Sequence, residues 1–215
     1  MLITRIVSRD QDSVTIHLDS GEKFVLNLRT IVDFGLTREM EISDTTFNAL
    51  KSESEKYLTT LSALRILARR ANSAFELKIK LEKKKYKKEL IGHVIAELRQ
   101  KGFVNDADFA ERYSADMMMN KKWGIKKIRG ILYQKGIGRE IIEKVIGDLK
   151  SSGADKGNIE FIARKKYKML LNSGKDKKAV SQKLFTFLFS RGYEYDEIRE
   201  VLRKIISDES SFEEE

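Results

Sequence analysis

Leu132-Tyr-Gln-Lys135-Gly136-Ile137-Gly-Arg-Glu-Ile-Ile142-Glu-Lys-Val-Ile146-Gly-Asp-Leu149 carries five apolar anchors, Leu132, Ile137, Ile142, Ile146 and Leu149, separated by 5, 5, 4 and 3 residues. The same offsets link Leu81, Tyr86, Ile91, Ile95 and Leu98, and again Leu188, Tyr193, Ile198, Leu202 and Ile205. A basic residue and a glycine precede the second anchor in two of the copies, as Lys135-Gly136 and Arg191-Gly192. Such internal self-similarity marks a modular protein whose units bury apolar faces by stacking, and such proteins usually bind macromolecules. The copies start 51 and then 56 residues apart, which is the length of a helix triplet rather than a helix pair.

Outward from these copies, residues 2–7 and 14–28 read as strands. Val14, Ile16 and Leu18 alternate with polar neighbours, as do Phe24, Leu26 and Leu28, and the turn Asp19-Ser-Gly-Glu22 between them signals a β-hairpin. Ser43 or Asp44 caps a linking helix carrying Phe47 and Leu50, and Leu58, Leu61, Leu64 and Ala68 form the stripe of the next helix. Ser73 and Glu76 have the spacing of a capping box. Asp106 caps a helix with Phe109, Ala110 and Tyr113 inward, and another helix follows Gly124. Ser151 to Asp155 read as a linker, with the third unit starting near Asn158 and turning Phe161, Ile162 and Tyr167 inward. A break is expected at Asn172-Ser-Gly174, and a frayed acidic end from Ser207 to Glu215.

The fold class that follows is mainly α: three tandem three-helix repeats in an elongated curved array, with a small N-terminal β-hairpin or three-stranded subdomain. The boundaries expected are 1–58 for the β subdomain and linking helix, 59–104, 105–150 and 156–206 for the three repeats, and 207–215 for the acidic tail.

Composition narrows the function. The chain of 215 residues has no cysteine and no proline, which excludes disulfides and thiolate metal sites and fits a reducing cytoplasm. No apolar run reaches the length of a membrane span. Charge is uneven: residues 61–205 hold 35 basic against 18 acidic side chains, whereas residues 1–60 hold 7 against 10. A basic helical body of this kind attracts polyanions, either nucleic acid or an acidic protein groove.

The residue pattern gives little support to catalysis. His17 and His93 lie far apart, in an expected strand and helix. Asp106, Asp108 and Glu111 lack the spacing of a calcium loop and suit helix capping. Gly136-Ile-Gly138 lacks the third glycine and preceding strand of a dinucleotide loop, and no phosphate-binding Walker loop is present. Met117 to Met119 suit core filling, and Trp123 an inter-helix corner. The chain is read as a non-enzyme without metal or cofactor. The candidate partner-binding residues are the basic runs: Arg69 and Arg70; Lys83, Lys84, Lys85, Lys87 and Lys88; Lys121 and Lys122; Lys126, Lys127 and Arg129; Arg164, Lys165 and Lys166. Their recurrence in every repeat allows a stripe that touches phosphates without reading bases.

Ala63-Leu-Arg-Ile-Leu-Ala-Arg-Arg70 with Ser73, Glu76, Leu77, Lys80 and Leu81 resembles the first repeat of the RecX family of bacterial RecA regulators. Asn105, Asp106, Phe109 and Ala110 with Gly124 and Leu132 to Ile137 resemble its second repeat. Phe187 and Leu188 with Arg191 to Tyr193, Asp196 and Ile198 resemble its third. The chain departs from the family at Asn72, where arginine is usual, and at Ile125, where proline is common. The resemblance implies a monomer that lies in the groove of the RecA nucleoprotein filament and mostly inhibits its ATPase, extension and strand exchange. The alternative is a non-catalytic module that binds single-stranded or duplex DNA, or RNA, without a recombinase. A scaffold for another acidic partner has the same composition.

Overall fold

The computed structural model describes residues 1–172 and 176–210. The chain divides into two compact units, Met1–Val104 and Asn105–Glu215.

The first unit opens with an antiparallel sheet in the order β1 (Ile3–Ser8), β2 (Ser13–Leu18), β3 (Lys23–Asn27). Ile3, Ile16, Leu18, Phe24 and Leu26 put one face into a small core with Leu36, Ile42 and Leu50. The alternation does not continue to Leu28. Asn27 ends the strand by accepting the Arg29 N–H at 2.8 Å, and this cap starts the short helix α1 (Leu28–Asp33), which leaves Leu28 48% exposed.

Helix α2 (Asp44–Arg69) is capped by Ser43 and runs unbroken for 26 residues. The expected linking helix and the first helix of the first repeat are therefore one rod. With neither glycine nor proline between Asp44 and Arg69, nothing interrupts its hydrogen-bond ladder. Its N-terminal part packs Leu50 into the sheet core, and its Ser54 hydroxyl accepts the Val25 N–H of β3 at 3.1 Å. Its C-terminal part packs Ala63 against α3 (Ala74–Lys83) and α4 (Lys88–Gln100), around Leu77, Leu81, Ile91, Val94, Ile95 and Leu98. Ser73 caps α3 by accepting the Glu76 N–H at 3.1 Å.

The second unit holds two further triplets. The first is α5 (Asp106–Met119), α6 (Ile125–Gln134) and α7 (Arg139–Ser151), with a core of Phe109, Met118, Ile128, Leu132, Ile137, Ile142 and Ile146. Its cap is Asn105 rather than Asp106: the Asn105 side chain accepts the Ala107 and Asp108 N–H groups, which makes Asp106 the first helical residue. The second is α8 (Ala154–Leu171), α9 (Lys177–Ser190) and α10 (Tyr195–Ser210), with a core of its own around Ala163, Tyr167, Leu184, Leu188, Tyr193 and Ile198.

Three expectations shift here. Helix α8 begins inside the expected linker. Its buried stripe is Ile159, Ala163 and Tyr167, an i, i+4, i+8 row that leaves Phe161 61% exposed on the other side. Helix α10 runs past Ser207 to Ser210. Residues 173–175 of the expected break and 211–215 of the acidic tail lie outside the described residues.

The anchor pattern has a single structural cause. Leu81, Leu132 and Leu188 each sit at the buried end of their triplet's second helix, and Ile91, Ile142 and Ile198 each start the buried face of the third. Leu149 and Leu202 are only half-buried. Between the helices the chain passes once through the left-handed region, at Lys85 (φ 65°), Gly136 (φ 71°) and Gly192 (φ 89°). The N–H of each caps the preceding helix, donating to Glu82, Tyr133 and Phe189 carbonyls at 2.8, 2.9 and 3.0 Å. The first triplet lacks the glycine and bears the strain at Lys85. Substituting Lys85→Gly is expected to raise stability by about 1 kcal/mol in denaturant unfolding, because glycine carries no Cβ penalty there.

Candidate functional site

The two triplets of the second unit meet backbone to backbone. Gly124 donates its N–H to the Arg191 carbonyl at 2.9 Å, and Lys126 donates to the Gly192 carbonyl at 3.1 Å. A Cβ at Gly124 would stand 2.3 Å from the Gly192 carbonyl oxygen, and one at Gly192 would stand 2.3 Å from the Lys127 Cβ. Around this point Arg191 donates to the Lys121 carbonyl at 2.7 Å, Tyr193 to the Lys122 carbonyl at 3.1 Å, and Asn158 to the Met118 carbonyl at 3.0 Å.

Many of the basic residues expected to face a partner are engaged inside this unit, at the junction or within a triplet. Lys127 donates to the Ser190 carbonyl at 3.2 Å, with its ammonium 4.6 Å from the Trp123 ring centroid. Lys126 lies 5.5 Å over the Phe189 ring and 3.8 Å from Glu194. Arg129 pairs with Glu143 at 3.1 Å. Arg164 pairs with Glu160 at 2.9 Å, and Lys166 lies 5.4 Å over the Phe187 ring. The Glu160 carboxyl is held below its ordinary range, chiefly by its hydrogen bond from Lys204 and next by that from Arg164. Lys121 and Lys165 are exposed, and Lys122 is half-buried with a left-handed backbone (φ 51°).

In the first unit Lys83, Lys84, Lys85 and Lys88 are exposed at the turn from α3 to α4. Lys87, in the same turn, reaches across to Glu55 of α2 at 2.6 Å. Arg70 pairs with Glu76 at 3.4 Å. Arg69 and Lys84 converge on the wall of one cavity, together with Arg9 and Arg65, two arginines that the sequence reading passed over. Asn72 is 3% exposed: its amide donates to the Arg70 carbonyl at 2.6 Å and its oxygen accepts from Lys80.

Of the residues weighed for catalysis, His17 is half-buried in β2 and His93 exposed on α4. Asp108 pairs with Arg112 at 2.8 Å and Glu111 with Lys144 at 3.7 Å. Met118 is buried, and Trp123 packs against the core of its triplet.

Asp155, in the first turn of α8, is 5% exposed and its Oδ1 makes no hydrogen bond among the described residues. Burial, and then the charge of Glu197, push its carboxyl up to about 7, against a small opposing pull from Lys150. Burial and then Asp155 likewise push the nearby Tyr193 phenol upward. Because the folded chain holds this proton above the ordinary carboxylate pKa, the stabilisation is complete below about pH 4 and falls away as pH rises towards 7. Allowing for solvent screening, the loss is expected to be about 2 kcal/mol. Urea unfolding at pH 5 and pH 8 checks this, and Asp155→Asn is expected to flatten the difference.

Profiles of three RecX domains match the chain in order: the first three-helix domain over residues 61–98, the second over 105–146 and the third over 158–202. Regulatory protein RecX of Clostridium acetobutylicum is 31% identical over 212 residues, covering 96% of this chain and 97% of the relative. The chain belongs to the RecX family. Regulatory protein RecX of Chlorobaculum tepidum is 34% identical over 160 residues, covering 74% of this chain and 95% of its own. A crystal structure of a regulatory protein RecX superposes with a TM-score of 0.76 at 20% identity, covering 94% of this chain and 98% of that one. RecX from Lactobacillus salivarius gives 0.61 at 23% identity over 70% of this chain and 96% of its own. At those identities the two structures bear on fold alone. The three anchor copies thus correspond to three RecX domains, and the Gly124–Gly192 approach joins the second to the third.

Proposed function

We propose that the chain binds the RecA nucleoprotein filament and restrains its ATPase, its extension and its strand exchange. The observation that carries this reading is one helical domain repeated three times, each copy with its own core and each presenting cations to solvent. Three linked binding modules favour a polymer over its free subunits, because the second and third contacts form intramolecularly. Among the described residues no helix is long and apolar enough to cross a membrane. On this reading the chain works as a monomer in the cytoplasm and needs no cofactor.

The test is RecA ATPase, strand exchange and filament length on single-stranded DNA as the chain is added. Inhibition at or below stoichiometric amounts is expected, and unchanged rates and lengths would reject the reading. Lys83, Lys88 and Lys165 are exposed and make no ion pair among the described residues. The triple variant Lys83→Glu, Lys88→Glu and Lys165→Glu is expected to weaken co-sedimentation with the filament by roughly tenfold or more. Its unfolding free energy should stay within about 0.5 kcal/mol, as surface changes usually do.

A further inference from the structure

A cavity of about 300 Å³ in the first unit is lined by Arg9 from the β1–β2 turn, Ser62, Arg65 and Arg69 from α2, and Lys84 and Tyr86 from the α3–α4 turn. Four cations line it and no carboxylate does. None of the four makes an ion pair among the described residues, whereas Lys87, in the same turn as Lys84, has taken Glu55. Ser62, 8% exposed, also belongs to the lining, and a serine hydroxyl can donate to an anion. All four cations are exposed, so water screens their mutual repulsion in part, and an anion joining them relieves the rest. Arg65 and Arg69 stand one helical turn apart on α2 and both line the opening, and a guanidinium fork suits tetrahedral oxyanions.

We infer that this cavity is a phosphate subsite, filled by a backbone phosphate of single-stranded nucleic acid. Three things favour a nucleic-acid strand over an isolated anion. Lys84 is flanked in sequence by the exposed Lys83 and Lys85, with exposed Lys88 three residues on, and a strand held at Lys84 has these further charges for neighbouring phosphates. Tyr86 gives the wall an aromatic surface, its hydroxyl donating to the Leu58 carbonyl at 3.4 Å. The lining holds no Asn, Gln, Asp or Glu to pair with base edges, and its cations are assigned to phosphate, so the recognition proposed is of backbone and not of sequence. The inference deepens the filament reading by naming where the chain meets the nucleic acid. It needs no recombinase, so the two fail separately.

The test uses the full chain and a fluorescent oligothymidylate, with anisotropy read across salt concentrations. Arg65→Gln with Arg69→Gln is expected to weaken binding roughly tenfold and to flatten the log–log salt slope by about one to two. Lys23→Gln with Lys51→Gln, exposed positions on the same unit, removes equal charge and should cost less than about threefold. Equal losses in the two double variants would mean diffuse attraction and overturn the subsite. Stronger competition by polyglutamate of matched charge than by unlabelled oligonucleotide would mean an acidic protein segment, and would overturn it too. If the arginine variant does not fold, inorganic pyrophosphate titrated into the unaltered chain decides. Nuclear magnetic resonance shifts at the Arg65 and Arg69 side chains and the Lys84–Tyr86 amides are expected, and shifts confined to other surfaces would refute the assignment.

Discussion

Replacing Gly192 with alanine is expected to cost at least about 3 kcal/mol of stability, the largest loss of any methyl-sized change in the second unit. Two penalties coincide at this residue. Its φ of 89° lies where an L side chain is strained, and the new Cβ would overlap the Lys127 Cβ at 2.3 Å and the Lys127 nitrogen at 2.5 Å. Relief is blocked because Lys127 belongs to the first turn of α6, whose Lys126 N–H is already bound to the Gly192 carbonyl. Gly124→Ala tests the same junction from the other side, where the overlap is with backbone oxygen and no strained φ is involved. Gly102→Ala is the control: its φ is 76° and a built Cβ meets no atom within 4 Å among the described residues, so it isolates the backbone penalty. That variant should lose about 1 kcal/mol. Guanidinium unfolding of the three variants separates overlap from strain, and equal losses at Gly102 and Gly192 would show that the domain junction yields freely.

Truncating Leu132 or Leu188 to alanine is expected to cost 2–5 kcal/mol, roughly the range for a fully buried leucine. Both side chains are wholly buried, each where the second helix of its triplet enters the turn to the third. The carbonyls of the same residues accept the N–H groups of Ile137 and Tyr193 at 3.1 and 3.4 Å, so the side chain and the turn share one anchor. Collapse around the cavity is restricted on that side, which places the expected cost in the upper half of the range. Thermal and denaturant unfolding give the number, and a loss below about 1 kcal/mol would mean that the anchor is dispensable.

The triplets were legible in the sequence because five apolar anchors at fixed offsets satisfy one geometry: two helices crossing a left-handed turn. Where the chain offered two registers, periodicity alone did not choose. Ile159, Phe161 and Ile162 are all apolar, and only packing against α9 and α10 selected the row of Ile159, Ala163 and Tyr167. Leu28 continued a convincing alternation until the Asn27 cap turned the backbone into α1. The basic runs were visible as charge, but which cations remain available depends on partners distant in sequence. Glu55 holds Lys87, and the Ser190 carbonyl holds Lys127. The cavity was hidden for the same reason. Arg65 and Arg69 have helical spacing, yet nothing local brings Arg9 of a strand turn and Lys84 of a helix turn beside them.

The uninterrupted α2 has a mechanical consequence. At 1.5 Å per residue its 26 residues form a strut of about 39 Å, one end fixed in the sheet core and the other in the first triplet. No glycine or proline joint intervenes, so a torque applied to the strands passes along the helix to the triplet. A spectroscopic label on the sheet is therefore expected to follow the tilt of the first RecX domain.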